Sequence, residues 1–279
     1  MEIITERTEL ERAGFMWRER DGVRLLSCHE LERDGFINGF STRMGGTSPM
    51  PQNALNLAGF HEDAAENIHE NRRRFLRLFD GDWQLTAVWQ MHSADVRIVR
   101  DREDARSDQV RCDALTTNAA GILLAVKSAD CVPVILGDQR TGACAAVHAG
   151  WRGTVARIVE RTLERMSAQY GTRAEDVRAA IGPAAGGCCY EVGAEVIEAF
   201  RSNFDDADSL FQPTREGHAL IDLQRANRNQ LIQSGVKSER IHTAPFCTMC
   251  RTDLFFSYRR EKSTLGRVGR LISVIGRQG

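Results

Sequence analysis

K-S-A-D-C-V-P-V-I-L-G-D-Q-R-T-G-A-C-A-A-V-H-A-G-W-R-G, residues Lys127 to Gly153, is the stretch on which the fold turns. Two apolar runs, Ile122 to Val126 and Val132 to Leu136, flank Ser128-Ala129-Asp130-Cys131. A third, Ala143 to Val147, leads into His148 and Ala149-Gly150-Trp151-Arg152-Gly153. Each run has strand length and ends in turn residues. Reactive side chains therefore fall where strands stop, on loops carried by a rigid sheet. Cys131 and His148 are the leading pair.

Outward from this stretch the chain alternates strands and helices. Ala64, Ile68, Phe75, Leu76 and Phe79 share a helix face between Glu62 and Phe79, with His61 and His69 outside it and exposed. Leu85 to Gln90 reads as a strand ending at Met91-His92-Ser93, and Val96 to Val99 as its return strand. Val155, Ile158, Val159, Leu163 and Met166 define a helix that begins right after Arg152-Gly153 and is capped at Gly171. Its N-terminus is an expected anion site. A strand at Val177 to Ile181, helices at Tyr190 to Phe200 and Asp222 to Gln233, then the segment Arg240 to Thr243, a Cys-rich loop and a final strand near Leu271 to Ile275 complete the pattern, with an edge strand or two expected before residue 35. Many connections are too short for crossover helices. The expected fold is α/β (α+β), with mixed β-sheet and flanking helices and no regular Rossmann pattern.

At 279 residues and 42% hydrophobic content the chain can bury a sizeable core. Its formal net charge of -1 gives no global attraction to nucleic acid or anionic membrane. Met1 to Arg20 lacks the apolar core of a signal peptide, and no apolar run approaches the roughly 20 residues that span a bilayer. A cytoplasmic location is expected, with the eight cysteines as free thiols. Cys188-Cys189 and Cys247-Thr248-Met249-Cys250 are read as buried thiols that bind no metal, because vicinal cysteines make awkward ligands and there is no second C-x-x-C.

The chemistry of Cys131 stays open at this level. It is a nucleophile if His148 activates it, a zinc ligand if His92 and His148 join it in a His2Cys set, or a core thiol. Arg43, in Gly39-Phe40-Ser41-Thr42-Arg43-Met44-Gly45-Gly46, is either a solvated turn residue or an anion-holding guanidinium.

Taken in order, G-F-S-T-R-M-G-G, L-N-L (55–57), E-N-R (70–72), Q-M-H (90–92), S-A-D-C, A-V-H-A-G-W-R-G, A-I-G-P, C-C-Y-E-V-G, D-L-Q-R-A-N-R, C-T-M-C and F-F-S-Y-R-R resemble the laccase-domain family. Members are described as polyphenol oxidoreductases, purine nucleoside phosphorylases and peptidoglycan editing factors. The resemblance runs from about Gly39 to the C-terminus. It implies one catalytic domain over 1–279, related to cysteine hydrolases of the cytotoxic necrotizing factor type. It also implies a zinc site formed by His92, Cys131 and His148, with Arg43 nearby. Ser93, Ser128 and Ala184 depart from the family's usual Gly, Thr and Cys.

Three activities follow as expectations. The first is phosphorolysis of adenosine, inosine and methylthioadenosine with adenosine deamination: zinc at the trio (copper possible), inorganic phosphate held by Arg43 and Arg152, and Asp130 orienting His148 or accepting from the purine. The second is amide hydrolysis on peptidoglycan precursors, with Cys131 as nucleophile and His148 as base. The third, polyphenol oxidation, meets a count: four coppers need about ten imidazoles, and the chain has seven His and no H-x-H pair.

Overall fold

The computed structural model describes residues 2–50, 52–58, 63–107 and 109–278, leaving aside the side chains of residues 2–5; His61 and Glu62 lie outside the described residues. The chain opens with α1 (Glu2–Arg12), β1 (Phe15–Arg20), β2 (Val23–Cys28), α2 (His29–Arg33), β3 (Phe36–Ser41) and α3 (Ala65–Leu76). Short strands β4 (Gln84–Thr86), β5 (Val96–Ile98) and β6 (Ala114–Thr117) precede the central β7 (Ile122–Ser128), β8 (Val132–Asp138) and β9 (Ala143–Ala149). There follow α4 (Trp151–Val155), α5 (Ile158–Tyr170), β10 (Val177–Ile181), β11 (Glu191–Gly193), α6 (Ala194–Arg201), β12 (Phe211–Pro213) and β13 (His218–Ile221). Next are α7 (Leu223–Gln233), β14 (Ile241–Thr243), α8 (Tyr258–Leu265) and β15 (Leu271–Arg277).

Two six-stranded sheets form the frame, ordered β1-β2-β3-β15-β7-β4 and β14-β10-β8-β9-β6-β5, with β11-β13-β12 as a small third sheet. Both large sheets are mixed: β4 runs parallel to β7, β5 to β6 and β10 to β14, while their other pairs are antiparallel. The period of two along a strand sends alternate side chains to opposite faces. Ile135, Cys144 and Ala146 thus point into a core shared with Leu26, Leu124, Val126 and Ile275 of the first sheet. Val134, Leu136, Ala145 and Val147 point to the far face, where Ile158, Leu163, Phe200 and Leu231 cover them. On the outer face of the first sheet Leu123, Ala125 and Val274 pack against Phe75 and Phe79. Burial on both faces explains why β8 and β9 are unbroken apolar runs.

The three central strands stand where their apolar runs fall. Residues 85–90 do not form a hairpin with 96–99. β4 stops at Thr86 and pairs with β7 in the first sheet, whereas β5 pairs with β6 in the second. The expected helix after Gly153 is divided: Arg157 adopts a left-handed conformation (φ 61°), so α4 ends and α5 starts at Ile158. Gly171, at φ 69°, caps α5 as expected. Tyr190 to Phe200 is a short strand before a helix, and α7 is capped by the Asp222 carboxylate, which accepts from the Arg225 amide.

A line across the second sheet fixes what meets at its end. Thr243, Ile181, Val134, Val147, Ala114 and Val96 are aligned neighbours across its six strands. Just beyond that line lie Cys131, His148, Asp113 and the loop through His92, together with the segments leaving β10 and β14.

The Glu70-Asn71-Arg72 motif has a structural explanation. The buried Asn71 amide oxygen accepts from the Thr47 amide and hydroxyl, and its Nδ2 donates to Ser48 Oγ, Ala54 O and Asn56 O. This holds the loop after Arg43. Asn71→Ala should cost about 3 kcal/mol by leaving those buried groups unpaired. The expected readout is a lower urea midpoint with an unchanged slope.

Candidate active site and metal centre

The site grows from Asp113, the residue before β6. Its side chain has no exposed surface. The carboxylate accepts from three successive amides, Met91 (3.0 Å), His92 (3.0 Å) and Ser93 (2.7 Å), and from the Ser93 hydroxyl (3.0 Å). Its Oδ1 also lies 2.8 Å from His148 Nδ1. Burial alone would raise its pKa, but the His148 contact and the amides prevail and hold it at about 2. The loop curls round the carboxylate tightly enough to put His92 at φ 58°. His92 is therefore a loop residue rather than the end of a strand.

His148, near the end of β9, is buried. With Nδ1 facing a carboxylate, that nitrogen carries the proton and Nε2 is left to face Cys131 and His92. The two imidazoles stand edge to face with centroids 5.0 Å apart, and Cys131 Sγ lies 3.9 Å from His92 Nε2. The donor atoms of His92, Cys131 and His148 all lie within 4.8 Å of one another. Burial would raise the Cys131 pKa, but the neighbouring imidazoles outweigh it and bring the thiol down to about 6. Burial would lower that of His148; the Cys131 charge and the Asp113 bond raise it to about 9. Gly150 makes the approach possible: a Cβ there would stand 3.0 Å from the His92 ring and 3.2 Å from Cys131 Sγ.

These residues fit a metal. Two imidazoles and a thiolate are ordinary zinc ligands, the convergence leaves a fourth position open, and Asp113 supplies the carboxylate that commonly orients a ligating histidine.

Other expected site residues lie elsewhere. Asp130 does not orient His148. Its Oδ1 accepts from Thr248 Oγ1 (2.7 Å), its Oδ2 from the Arg259 amide (2.7 Å) and its carbonyl from the Ala185 amide (2.8 Å). It is a positioning residue that ties the loop before Cys131 to the C-terminal segment. The Arg43 guanidinium is buried inside the protein: Nη1 bonds to Thr252 O and Glu261 Oε1, Nη2 to Met50 O, and the group stacks 4.5 Å over Phe256. Glu261 compensates its charge, and these hydrogen bonds are made within the chain. Arg152 is exposed on α4, stacked on Trp151 and 3.4 Å from Glu195.

Asp113 is the residue that sequence reasoning missed. The available signal was an acid set directly before the apolar run Ala114-Leu115, which marks a carboxylate carried into the interior by a strand. The cysteine reading also needs correction: Cys188 and Cys250 are exposed and Cys189 and Cys247 half-buried, in contrast to Cys28, Cys112 and Cys144 in the core.

Frame and centre together define an enzyme built round one Cys–His constellation. The chain belongs to the family described as multi-copper polyphenol oxidoreductase laccase, which matches residues 37–278. It is similar to a purine nucleoside phosphorylase of Bacteroides thetaiotaomicron, at 38% identity covering 88% of this chain and 94% of that protein. It is also similar to adenosine deaminase RL5 from an unknown prokaryotic organism, at 34% identity covering 93% and 96%. The crystal structure of YlmD from Geobacillus stearothermophilus superposes with a TM-score of 0.87 at 33% identity, covering 95% of this chain and 99% of that one.

Asp113→Asn keeps the shape but removes the charge that orients His148. It should weaken zinc binding by about 10- to 100-fold. Competition with a chromophoric chelator reads this out; unchanged affinity would show that Asp113 does not act on the ligand set.

Proposed function

We propose that the chain is a purine nucleoside phosphorylase acting on adenosine, inosine and methylthioadenosine, with adenosine deaminase activity, at a zinc centre held by His92, Cys131 and His148. The observation that carries this is the convergence of the three donors with His148 oriented by Asp113. The names of the similar proteins support the substrate class. Zinc bound there would supply Lewis acidity next to the open position.

In phosphorolysis an oxygen of phosphate bonds to C1′ of the ribose. The C1′–N9 bond breaks with its electron pair passing to the purine, which takes up the phosphate proton. In deamination the oxygen of water bonds to C6, and the amino group leaves as ammonia with a proton from that water. The chain's own contribution is to fix the centre. Asp113 keeps a proton on His148 Nδ1, so that Nε2 is the nitrogen that gives up its proton and presents a lone pair when a metal binds, and Asp130 holds the Cys131 loop. Arg152 is the proposed phosphate contact, since Arg43 is paired internally with Glu261. Arg152→Ala should raise the phosphate KM about tenfold and leave water-driven deamination unchanged. Arg43→Ala should lower both activities together through lost stability, about 3–5 kcal/mol for breaking a buried pair.

A second reading is favoured by one observation: Cys131, His148 and Asp113 form a thiol–imidazole–carboxylate series that also suits a cysteine amidase. Zinc-replete and metal-stripped protein should be assayed against inosine with phosphate, adenosine, and a muramyl-peptide amide. We expect nucleoside turnover that is lost on stripping, no covalent adduct on Cys131 by mass spectrometry of quenched turnover, and reduced zinc in Cys131→Ser. An acyl adduct on Cys131 in active, zinc-free protein would overturn the phosphorylase in favour of the amidase.

A further inference from the structure

We propose that Cys188, Cys189, Cys247 and Cys250 form a second metal centre, a tetrathiolate site for one structural zinc ion. β10 and β14 are adjacent and parallel, so the segments leaving their ends emerge side by side. One carries Cys188-Cys189 and the other Cys247-Thr248-Met249-Cys250. A vicinal pair and a C-x-x-C, separated by more than fifty residues of chain, are thereby set facing each other.

The sulfur positions match one ion. Cys250 Sγ is 3.2 Å from that of Cys189 and 3.6 Å from that of Cys188, and all four lie within 4.8 Å of one another. Tetrahedral zinc with Zn–S bonds of about 2.3 Å places its sulfurs about 3.8 Å apart. An iron–sulfur cluster, with several irons between the thiolates, needs a wider cage. Four thiolates in a tetrahedral set select zinc over harder cations.

Burial does not account for the cluster. Core thiols such as Cys28 and Cys144 converge on apolar neighbours, whereas this group sits at the surface with two members exposed. Its surroundings also favour ligation. The Gly186 amide donates to Cys247 Sγ at 3.2 Å, the kind of N–H···S bond that orients a ligating thiolate. A side chain at Gly186 would close the space, because its Cβ would stand 3.2 Å from Cys247 Cβ and 3.4 Å from Cys188 Sγ. The turn is fixed by the Cys250 and Arg251 amides, both donating to Cys247 O.

The site also has a structural task. Thr248, inside the C-x-x-C, donates its amide to Ala184 O and its hydroxyl to Asp130 Oδ1. Asp130 precedes Cys131. An ion holding the two segments together would thus brace the loop that carries Cys131, and its binding free energy would add to folding. The inference stands independently of the reaction assigned to the His92–Cys131–His148 centre.

The test uses the full chain carrying His92→Ala and Cys131→Ser, which disables the first centre. After growth with zinc, elemental analysis should find one zinc per chain, and X-ray absorption should report an all-sulfur shell. Cobalt(II) added to the metal-stripped protein should give an intense thiolate charge-transfer band. Cys247→Ser with Cys250→Ser should abolish both signals, and a chelator should lower the melting temperature of the parent but not of that variant. Folded parent chain without zinc or a cobalt band, or with a Cys189–Cys250 disulfide in its place, would overturn the proposal. If the parent variant does not fold, the wild-type chain decides: a second equivalent of zinc with a sulfur-rich average shell supports the site, and a single equivalent in a nitrogen-rich shell refutes it.

Discussion

A carboxylate taken out of water is tolerated only if its lone pairs are answered, and Asp113 is answered by three amides, a hydroxyl and an imidazole. That requirement shapes the whole site. The amides of residues 91–93 can converge on one group only if the loop curls, which it does with His92 in a left-handed conformation. The same oxygen that receives the His92 amide also faces His148 Nδ1. Both imidazoles are therefore referenced to one carboxylate, which is itself fixed at the start of a buried strand. Ser93 adds a hydroxyl bond that a glycine at that position would lack.

How much of this was legible depended on whether the determining contacts are local. β7, β8 and β9 were readable because burial on both faces writes itself as continuous apolar runs, and α7 because its cap and its apolar face lie within a dozen residues. The strands β4 and β5 have three residues each, too few for a period to register, and their partners belong to different sheets. The break at Arg157 left no signal, since a left-handed arginine is imposed by tertiary packing and not by propensity. Asp113 was hidden for the same reason: its donors come from residues 91–93 and 148, and no spacing rule joins them. The motifs that resemble a family marked His92, Cys131 and His148 but said nothing of the group that aligns them.

Charge was the most misleading cue. Arg43 and Asp130 sit in motifs next to reactive residues, which suggests substrate contact, yet both are directed at the protein's own C-terminal segment. Arg43 meets Glu261 across 218 positions of chain, and Asp130 meets Thr248 and the Arg259 amide across 118 and 129. Sequence cannot distinguish a charge reserved for a ligand from one reserved for a distant strap. Here the strap, residues 247–261, crosses the site end of the frame and bonds to it through both residues. Asp130 thereby bears on the placement of Cys131, and Arg43 on the stability of the strap itself.

The donor geometry also decides what the family description can mean for this chain. A multicopper oxidase passes electrons between a blue copper and a cluster, so it needs several imidazole-rich sites within reach of one another. Among the described residues only His92 and His148 share a potential metal group. His29 faces Glu30, His218 lies against Glu216 O, and His242 faces Arg178 and packs against Gly14. Those three imidazoles are thus committed elsewhere, and a pocket of two imidazoles and one thiol has ligands for a single ion. Such a centre can polarise a substrate or bind an adventitious copper, but it offers no second metal to receive an electron. The similar proteins are named purine nucleoside phosphorylases and an adenosine deaminase, reactions in which a single Lewis acid can polarise substrate or water.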